Sequence, residues 1–281
     1  MSLPAGCVYL VPVPIGNLGD ITLRALETLK AARFIACEDT RKTRFLLNHY
    51  QIKAPRLLSL HKYNEKRRSG EILDLLSAGD DLAVVADAGS PGISDPAQIL
   101  IREAVCRNIK IVPLPGATAL IPALTASGLA GQAWQFLGFL PLKLKDRRSL
   151  LERIRAYPDT TVLYEAPHRL KRTLEDLLEH CGNRPVCLAR EISKLYEEFI
   201  RCDLAELLAN YDVTEKGEFV ILVGGPTEVP ERADADVSAY IAARIQTATS
   251  LRSLAQDVAD RFALSRNRAY QMVLAQRSDR K

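Results

Sequence analysis

Short apolar segments of strand-like composition alternate with helix-like segments through the first 114 residues. The strand patterns cover residues 7–11, 33–37, 57–60, 82–86 and 109–114, and the helical patterns cover 22–32, 38–50, 64–79 and 95–108. Strands that alternate with helices form a parallel or mixed sheet, and the loops that follow the strands gather at one edge of it. We therefore expect an α/β domain over residues 1–122.

Strand patterns become more frequent in the second half of the chain. After a stretch rich in small residues (115–131), they cover 134–140, 160–165, 185–191, 196–202 and 217–225. This favours a second α/β domain, residues 123–226, with a more antiparallel sheet. Beyond a linker-like segment (224–232), the Ala-rich tail shows helical periodicity and predicts a small helical domain, 233–281, that resembles a helix-turn-helix.

The composition indicates a globular protein of a reducing compartment. With 281 residues, 47% of them hydrophobic, the chain can bury a large core. Its six cysteines include no Cys-x-x-Cys pair and its four histidines lack metal-ligand spacing, so we expect free thiols, no metal and a cytoplasmic location. No apolar run approaches the ~20 residues of a membrane span, so we expect no membrane association.

Positive charge is concentrated in three segments, although the net charge is only +4. Residues 41–68 hold nine basic residues and one acidic residue, a net charge of +8. Residues 143–155 and the last 17 residues each carry +4. Because counterion release stabilises each contact of lysine or arginine with phosphate, these clusters favour a polyanionic partner over a merely solvated surface.

Three loops that follow strand patterns combine glycine, proline and small hydroxyl residues. They are VPVPIGNLGDITLRAL (11–26), VVADAGSPGISDP (84–96) and IVPLPGATALIPA (111–123). None carries the Gly-x-Gly-x-x-Gly pattern of dinucleotide-binding folds, and the chain has no P-loop motif. Glycine lets a ligand approach the backbone, and proline lowers the entropy lost when the loop becomes ordered. Such loops at one sheet edge predict a crevice for a small ligand.

The order of the motifs carries a family resemblance over essentially the whole chain. PxPIGNLGDxTLRAL is followed by EDTRKT, LHKYNEK, AGSPGISDP, PLPGATA, LYEAPHR, CLAREISKLYEEF and GEFVILVGG. This series resembles the tetrapyrrole methylase-like superfamily of S-adenosylmethionine enzymes, and more closely the branch that methylates a cytidine ribose 2′-oxygen in the decoding region of 16S ribosomal RNA. The resemblance implies two α/β domains with S-adenosylmethionine in the cleft between them, a C-terminal helical domain, and a homodimer.

The resemblance also implies cofactor contacts from both α/β domains. Those of the first domain are Pro14, Gly16, Asp87, Gly89, Ser90, Pro91, Ile93, Ser94, Ala117 and Thr118. Those of the second are Tyr164, Ala189 and Phe219, for which plain core packing is an alternative. The superfamily usually has Gly-Asp-Pro where this chain has Gly89-Ser90-Pro91, so Asp87 or Asp95 is the candidate replacement for the missing acid.

The implied reaction depends on aligning the incoming oxygen with the methyl group, and a base beside the ribose hydroxyl would assist it. Candidates for that base are Glu165, His168, Glu191, Lys194 and His61, and Arg169 or Arg190 could hold a flanking phosphate. Two alternatives stay open. Glu191 and Lys194 could form a surface pair, and His168 could cap a helix.

RNA contacts are expected from the basic segment and the basic tail. The candidates are Arg41, Lys42, Arg44, Lys62, Lys66, Arg67, Arg68, Arg266 and Arg268, and Tyr50 and Tyr63 could stack on bases or belong to the core. Two other functions remain open: a methyltransferase of the same fold that acts on a tetrapyrrole or another small molecule, and a non-catalytic nucleic-acid-binding regulator. The basic segments oppose the first alternative, and the crevice loops oppose the second.

Overall fold

The computed structural model describes residues 6–53, 55–76, 79–211, 216–226, 231–245, 250–262, 264 and 266–278. The chain divides into two compact units, one ending at Gly225 and the other beginning at Pro226. None of the helices in these described ranges is long and apolar enough to cross a membrane.

Parallel strands form the first sheet. They are β1 (Val8–Leu10), β2 (Phe34–Cys37), β3 (Arg56–Ser59), β4 (Leu82–Val85) and β5 (Ile111–Pro113), in the order β3-β2-β4-β1-β5. The helices that connect them are α1 (Leu23–Ala31), α2 (Thr40–His49), α3 (Glu65–Leu76) and α4 (Gln98–Cys106). Apolar clusters cover both faces of the sheet, which is why β4 reads as an uninterrupted apolar run. All five strands end at the same edge.

A mixed sheet follows. Its strands are β6 (Trp134–Phe139), β7 (Thr160–Glu165), β8 (Pro185–Arg190), β9 (Glu198–Asp203) and β10 (Phe219–Val223), in the order β6-β7-β10-β8-β9. The helices of this region are α5 (Leu120–Ser127), α6 (Leu144–Ala156), α7 (Pro167–Cys181) and α8 (Leu204–Asn210). β10 runs antiparallel to β7 and β8, so it begins at the edge where β6, β7 and β8 end.

The second unit is helical. Its helices are α9 (Glu231–Arg244), α10 (Leu251–Phe262) and α11 (Arg266–Ser278). They enclose an apolar cluster of their own, with Ile241, Val258 and Val273 fully buried. The predicted α/β class, with a more antiparallel second sheet and a helical tail, is confirmed.

Three helices lack a sequence signal strong enough to predict them. The stretch expected to be a break contains α5, whose buried side chains Ala123 and Leu124 pack against the second sheet. The expected boundary between residues 122 and 123 therefore falls inside a helix. The second basic segment forms α6, in which Arg147 is buried and pairs with Asp176, so this arginine belongs to the core. The third helix, α8, spans only seven residues.

Glu65 fixes the end of the loop that follows β4. This carboxylate is buried, and its Oε1 accepts backbone N–H groups from Ala97 at 2.9 Å, Ile99 at 2.7 Å and Leu100 at 3.4 Å. The first N–H groups of a helix have no partner within it and attract negative charge. Glu65, at the start of α3, thus caps α4 and anchors the loop between β4 and α4.

We predict that Glu65→Ala destabilises the protein by about 2–3 kcal/mol, because it leaves buried N–H groups without an acceptor. Glu65→Gln keeps one acceptor oxygen and should cost about half as much. The shift of the urea midpoint measures both effects. The control is Glu71→Ala, which removes an exposed pair with Arg68 and should cost about 0.5 kcal/mol or less. Equal effects at Glu65 and Glu71 would contradict the capping role.

Candidate active site

Three loops meet at the carboxyl edge of the first sheet. We name them the first loop (residues 11–17, after β1), the second loop (86–97, after β4) and the third loop (114–119, after β5). Val13 of the first loop and Gly89 of the second exchange backbone hydrogen bonds of 3.0 and 2.9 Å. The Ser90 hydroxyl donates to the Ala117 carbonyl of the third loop at 3.1 Å. The second loop is therefore tied to both of its neighbours.

Two glycines permit this close packing. Gly89 has φ +72°, a left-handed conformation that L side chains rarely adopt. Gly116 approaches the first loop so closely that a Cβ atom there would lie 2.7 Å from the Cβ of Pro12. The small residues in these loops thus let the backbone of one loop lie directly against its neighbour.

A first cavity, with a volume of about 330 Å³, lies between these loops and the facing edge of the second sheet. Residues at the ends of β6 and β7, after β8 and at the start of β10 form its far wall; they include Phe139, Ala166, Ile192 and Val220. The predicted cofactor residues that line it are Gly89, Ser90, Ile93, Ser94, Thr118, Tyr164 and Phe219. The volume lies within the range of small-molecule sites, and the wall is mainly apolar.

A second cavity of about 610 Å³ adjoins the first on the side of β2. Pro14, Gly16 and Asp87, which were predicted as cofactor contacts, line this second cavity instead. Glu38, Lys42, Phe45 and Lys194 also line it. The four residues that border both cavities are Ile15, Ala88, Asp95 and Glu218.

Three predicted cofactor residues line neither cavity. Pro91 is buried within the second loop, and Ala117 contributes its carbonyl to the bond with Ser90. Ala189 is fully buried in β8, within the cluster that packs against α5, as core packing would place it.

Tyr164 gives the first cavity an aromatic wall with a polar tip. Its ring lies edge-on to Phe136, with centroids 4.8 Å apart, and to Phe139 at 5.8 Å. Burial raises the pKa of the Tyr164 phenol, although hydrogen bonds with Thr118 and the Leu120 backbone oppose that rise. The phenol therefore stays neutral and remains tied to the third loop.

Glu165 and His168 have very different surroundings. The buried Glu165 carboxylate accepts the Ala166 N–H at 2.9 Å and the Thr173 hydroxyl at 2.6 Å, and Arg169 lies 3.3 Å from it. Its hydrogen-bonding capacity is largely used within the fold. His168 is exposed at the start of α7, and neither cavity includes it in its lining.

Glu191 and Lys194 form a pair with a nitrogen–oxygen distance of 2.8 Å. Glu191 also accepts the Glu218 N–H at 2.8 Å, and Lys194 lies 3.2 Å from the Glu218 carboxylate. Burial raises the pKa of Glu191, but hydrogen bonds from Lys194 and the Glu218 backbone hold it below its ordinary value. Burial lowers the pKa of Lys194, but the hydrogen bond to Glu191 and the charge of Glu218 raise it overall. Both groups are therefore charged, and Lys194 is an ammonium rather than a base.

Two acids beside the second cavity have surroundings that oppose ionisation. Burial, then the charges of Glu38 and Asp87, raise the pKa of Asp95 to about 6. Burial and the Asp87 charge also raise the pKa of Glu38. Sequence reasoning considered Asp95 only as a replacement acid, and it did not assign Glu38, Phe45, Phe139 or Glu218 to the site. Glu38 directly follows β2, Phe139 ends β6 and Glu218 directly precedes β10, and these positions at strand ends were the available signal; Phe45 lies within α2 and carried no such signal.

The predicted RNA-binding residues of the basic segment follow β2 and β3, at the same edge as the loops. Arg41, Lys42, Arg44, Lys62, Lys66 and Arg67 are exposed, and Arg68 is half-buried beside Glu71. Lys42 pairs with Asp87 at 2.8 Å. Arg41 hydrogen-bonds to Asp39 and lowers the pKa of that carboxyl to about 2.

The aromatic residues of the basic segment differ in exposure. Tyr63 is 94% exposed, which excludes a core role for it. Phe45 is 69% exposed. Tyr50 donates its hydroxyl to the Leu18 carbonyl, so it holds the end of α2 to the segment that follows the first loop. Arg169 and Arg190, the candidate phosphate ligands, lie beside Glu165 and Glu198 respectively.

Comparison with known proteins identifies the family. Residues 7–208 match the family described as Tetrapyrrole (Corrin/Porphyrin) Methylases. The chain belongs to this methylase family. It is accordingly an S-adenosylmethionine-dependent methyltransferase. The described residues contain no group of histidine, cysteine, aspartate and glutamate side chains able to hold a metal ion.

Within the family, the chain is similar to proteins named ribosomal RNA small subunit methyltransferase I. The Streptococcus pyogenes protein is 42% identical over 271 residues, covering 95% of this chain and 94% of that protein. The Halalkalibacterium halodurans protein is 43% identical over 262 residues, 90% of each chain. The Synechocystis protein is 41% identical over 278 residues, covering 98% of this chain and 99% of that protein.

Solved structures of other methylases share the fold. The methyltransferase CobJ matches with a TM-score of 0.59 and 21% identity, over 79% of this chain and 95% of that one. The Thermus thermophilus uroporphyrin-III C-methyl transferase, crystallised with S-adenyl homocysteine, matches with a TM-score of 0.57 and 20% identity, over 78% and 97% of the two chains.

We predict that Gly116→Ala weakens S-adenosylmethionine binding by about tenfold, because the new methyl group would push the first and third loops apart. Titration calorimetry measures the change. The matched control is Gly131→Ala, where the nearest atom to a new Cβ is 3.8 Å away. An affinity loss shared by both variants, or by neither, would contradict the importance of this close approach.

Proposed function

We propose that this methyltransferase transfers the methyl group of S-adenosylmethionine to the ribose 2′-oxygen of a decoding-region cytidine in 16S ribosomal RNA of the small ribosomal subunit. The observation that carries the proposal is the position of the two cavities at one sheet edge, with exposed basic residues beside them. The names of the relatives, each similar to this chain over at least 90% of its length, support an RNA substrate.

The first cavity fits the methyl donor. Its apolar wall suits an adenosyl group, and the glycine, serine and threonine residues of the second and third loops offer backbone and hydroxyl groups close to a ligand. When bound, S-adenosylmethionine supplies an electrophilic methyl group. The second cavity is larger, opens on the side of α2 and is lined by charged groups, so it suits the nucleotide to be methylated.

The exposed surface after β3 suits single-stranded RNA. Tyr63 has an exposed ring, and Lys62, Lys66 and Arg67 lie within four positions of it in the sequence, at the same edge of the sheet. Proteins recognise unpaired RNA by phosphate contacts together with stacking of splayed bases on aromatic rings. A tetrapyrrole is a compact ligand that would contact only the groups around the cavities, whereas the cationic surface extends to the edge strand β3.

The C-terminal unit supplies a further basic surface. Arg266 is exposed on α11 and lines a hollow of about 380 Å³ with Arg252 and Tyr270. The side chain of Arg268 lies outside the described residues. We include this surface in the RNA interface, and we assign the protein to the cytoplasm, where small subunits are assembled.

We also propose a homodimer. Leu142, Leu144, Leu195 and Tyr196 are each more than 70% exposed. They follow the ends of β6 and β8, at one edge of the second sheet, so the exposed apolar groups lie at the same end of the domain. Exposed apolar patches of this kind are typical of protein interfaces.

The test of substrate is methyl transfer from radiolabelled S-adenosylmethionine to three acceptors: assembled small subunits, naked 16S ribosomal RNA and uroporphyrinogen. We expect label in RNA, located by nuclease digestion and mass spectrometry to a cytidine ribose. The same nucleoside should lose one methyl group in a strain that lacks the protein. Label in uroporphyrinogen alone would overturn the RNA proposal.

A charge-removal variant tests the RNA surface. Replacing Lys62, Lys66 and Arg67 together by alanine should reduce the slope of log affinity against log salt by roughly 2, because about three phosphate contacts are lost. The matched control replaces Lys30, Lys53 and Arg56, which are equally exposed but lie toward the opposite edge of the first sheet. Filter binding to the RNA acceptor measures both. Equal slopes for the two variants would contradict the assignment.

A further inference from the structure

The second cavity has an exposed aromatic ring in its wall. Phe45 lies on α2 and is 69% exposed, and its side chain lines this cavity. The buried residues of α2 are Thr43 and Leu47, so Phe45 lies on the side of the helix that faces away from the core. An aromatic ring exposed at a cavity offers a flat apolar surface on which a nucleobase can stack.

Cationic side chains accompany this ring on α2. Arg41 and Lys42 lie four and three positions before Phe45, and residues at these spacings are neighbours on a helix surface. Both side chains are exposed. A base that stacks on Phe45 would therefore have positive charge beside its backbone phosphates, as in other sites for unpaired RNA.

Glu38 gives the same cavity a hydrogen-bond acceptor. It directly follows β2, is half-buried and lines the second cavity. In the described part of the chain, its carboxylate accepts no hydrogen bond. Burial and then the charge of Asp87 raise its pKa, and the charges of Lys42 and His61 only partly oppose that rise. A ligand N–H group would therefore find an acceptor there that the fold does not use.

Lys42 adds a donor beside this acceptor. Its Nζ atom lies 2.8 Å from Asp87 Oδ2, and it also lines the second cavity. An ammonium group has three N–H donors, so the bond to Asp87 leaves donors for a ligand. The cavity thus offers a carboxylate and an ammonium group to one ligand, next to an aromatic ring. Its volume of about 610 Å³ lies within the usual range for small ligands.

This set of groups matches cytosine better than uracil. On the Watson–Crick edge of cytosine, the N4 amino donor lies next to the N3 acceptor, whereas uracil has the O4 acceptor next to the N3–H donor. A carboxylate only accepts hydrogen bonds, and an ammonium group only donates them. For a base held in one position by stacking, cytosine satisfies both groups, and uracil opposes both.

We propose that the second cavity is a cytosine subsite, in which the base stacks on Phe45, its N4 amino group donates to Glu38, and its N3 atom accepts from Lys42. The assignment rests on the proposed ribose methylation of a cytidine, and it names the side chains that select the base. A base bound there places its own ribose toward the adjoining first cavity, which is proposed to hold the methyl donor.

Glu38→Gln tests the selection of the base. The RNA acceptor that the wild-type enzyme methylates is prepared with cytidine or uridine at the target nucleotide, and single-turnover rates are compared. We expect the wild type to favour cytidine by about 100-fold, and Glu38→Gln to lower this ratio about tenfold, because an amide both donates and accepts. The matched control is Glu27→Gln, an exposed change on α1 outside both cavities, which should leave the ratio unchanged.

Two variants of Phe45 test the stacking. With subsaturating cytidine acceptor, Phe45→Ala should lower the rate about tenfold, and Phe45→Trp should keep a rate close to that of the wild type. Because the ring is exposed, both variants should melt near the wild-type temperature. The control is Val105→Ala, which shortens an apolar side chain that is 59% exposed on α4, and it should not change the rate.

The outcomes separate the two proposals. A wild-type enzyme that methylates no RNA contradicts the proposed function. If the wild type methylates RNA, three results overturn the cytosine subsite: equal wild-type rates on the two acceptors, an unchanged ratio in Glu38→Gln, or a Phe45→Ala rate equal to that of the wild type. A Glu38→Gln variant that loses activity equally on both acceptors has an unchanged ratio and therefore also overturns it.

Discussion

Close packing among three loops is the constraint on which the site depends. The hydrogen bonds between Val13 and Gly89 extend the pairing of the first sheet beyond its strands, and the contact of Gly116 with Pro12 brings in the third loop. Side chains of ordinary size would hold these loops apart. Because residues with small side chains occupy these loops, the loops can pack closely and still leave room for a ligand beside the backbone. Packing and binding therefore have one physical origin.

Much of this arrangement could be predicted from the sequence. Alternating strand and helix patterns place residues 84–96 and 111–123 beyond neighbouring strands, and parallel strands end at one edge, so the crevice follows from topology. The sequence patterns grouped Pro14 and Gly16 with Gly89 around one ligand. They could not show that these residues line two adjoining cavities. Linear order does not show on which side of a loop a residue lies.

Other features depend on contacts between distant residues. The cap of Glu65 on α4 joins residues more than 30 positions apart, and no local pattern marks it. α5 was not predicted because it contains Pro122 and lacks a clear apolar stripe: Ile121 lies on its exposed side, whereas Ala123 and Leu124 pack against the second sheet. Arg147 looked like part of a basic surface, but its pairing with Asp176 in the core became visible only with the fold.

The site holds charges at some cost in stability. Burial and the charges of neighbouring carboxylates raise the pKa of Glu38 and of Asp95, and the two lysines that line the second cavity already pair with Asp87, Glu191 and Glu218. A protein selected for stability alone would avoid such an arrangement. At functional sites, side chains are expected to be arranged in ways that lower local stability. The neighbouring basic surface has the opposite sign and lies farther out, where an RNA backbone can reach it.

The most direct measurement is a crystal structure of the protein with S-adenosylhomocysteine. The account predicts the ligand in the first cavity, with backbone contacts to the second and third loops and its sulfur toward the border with the second cavity. A ligand bound elsewhere, or one whose sulfur faces away from the second cavity, would contradict the account.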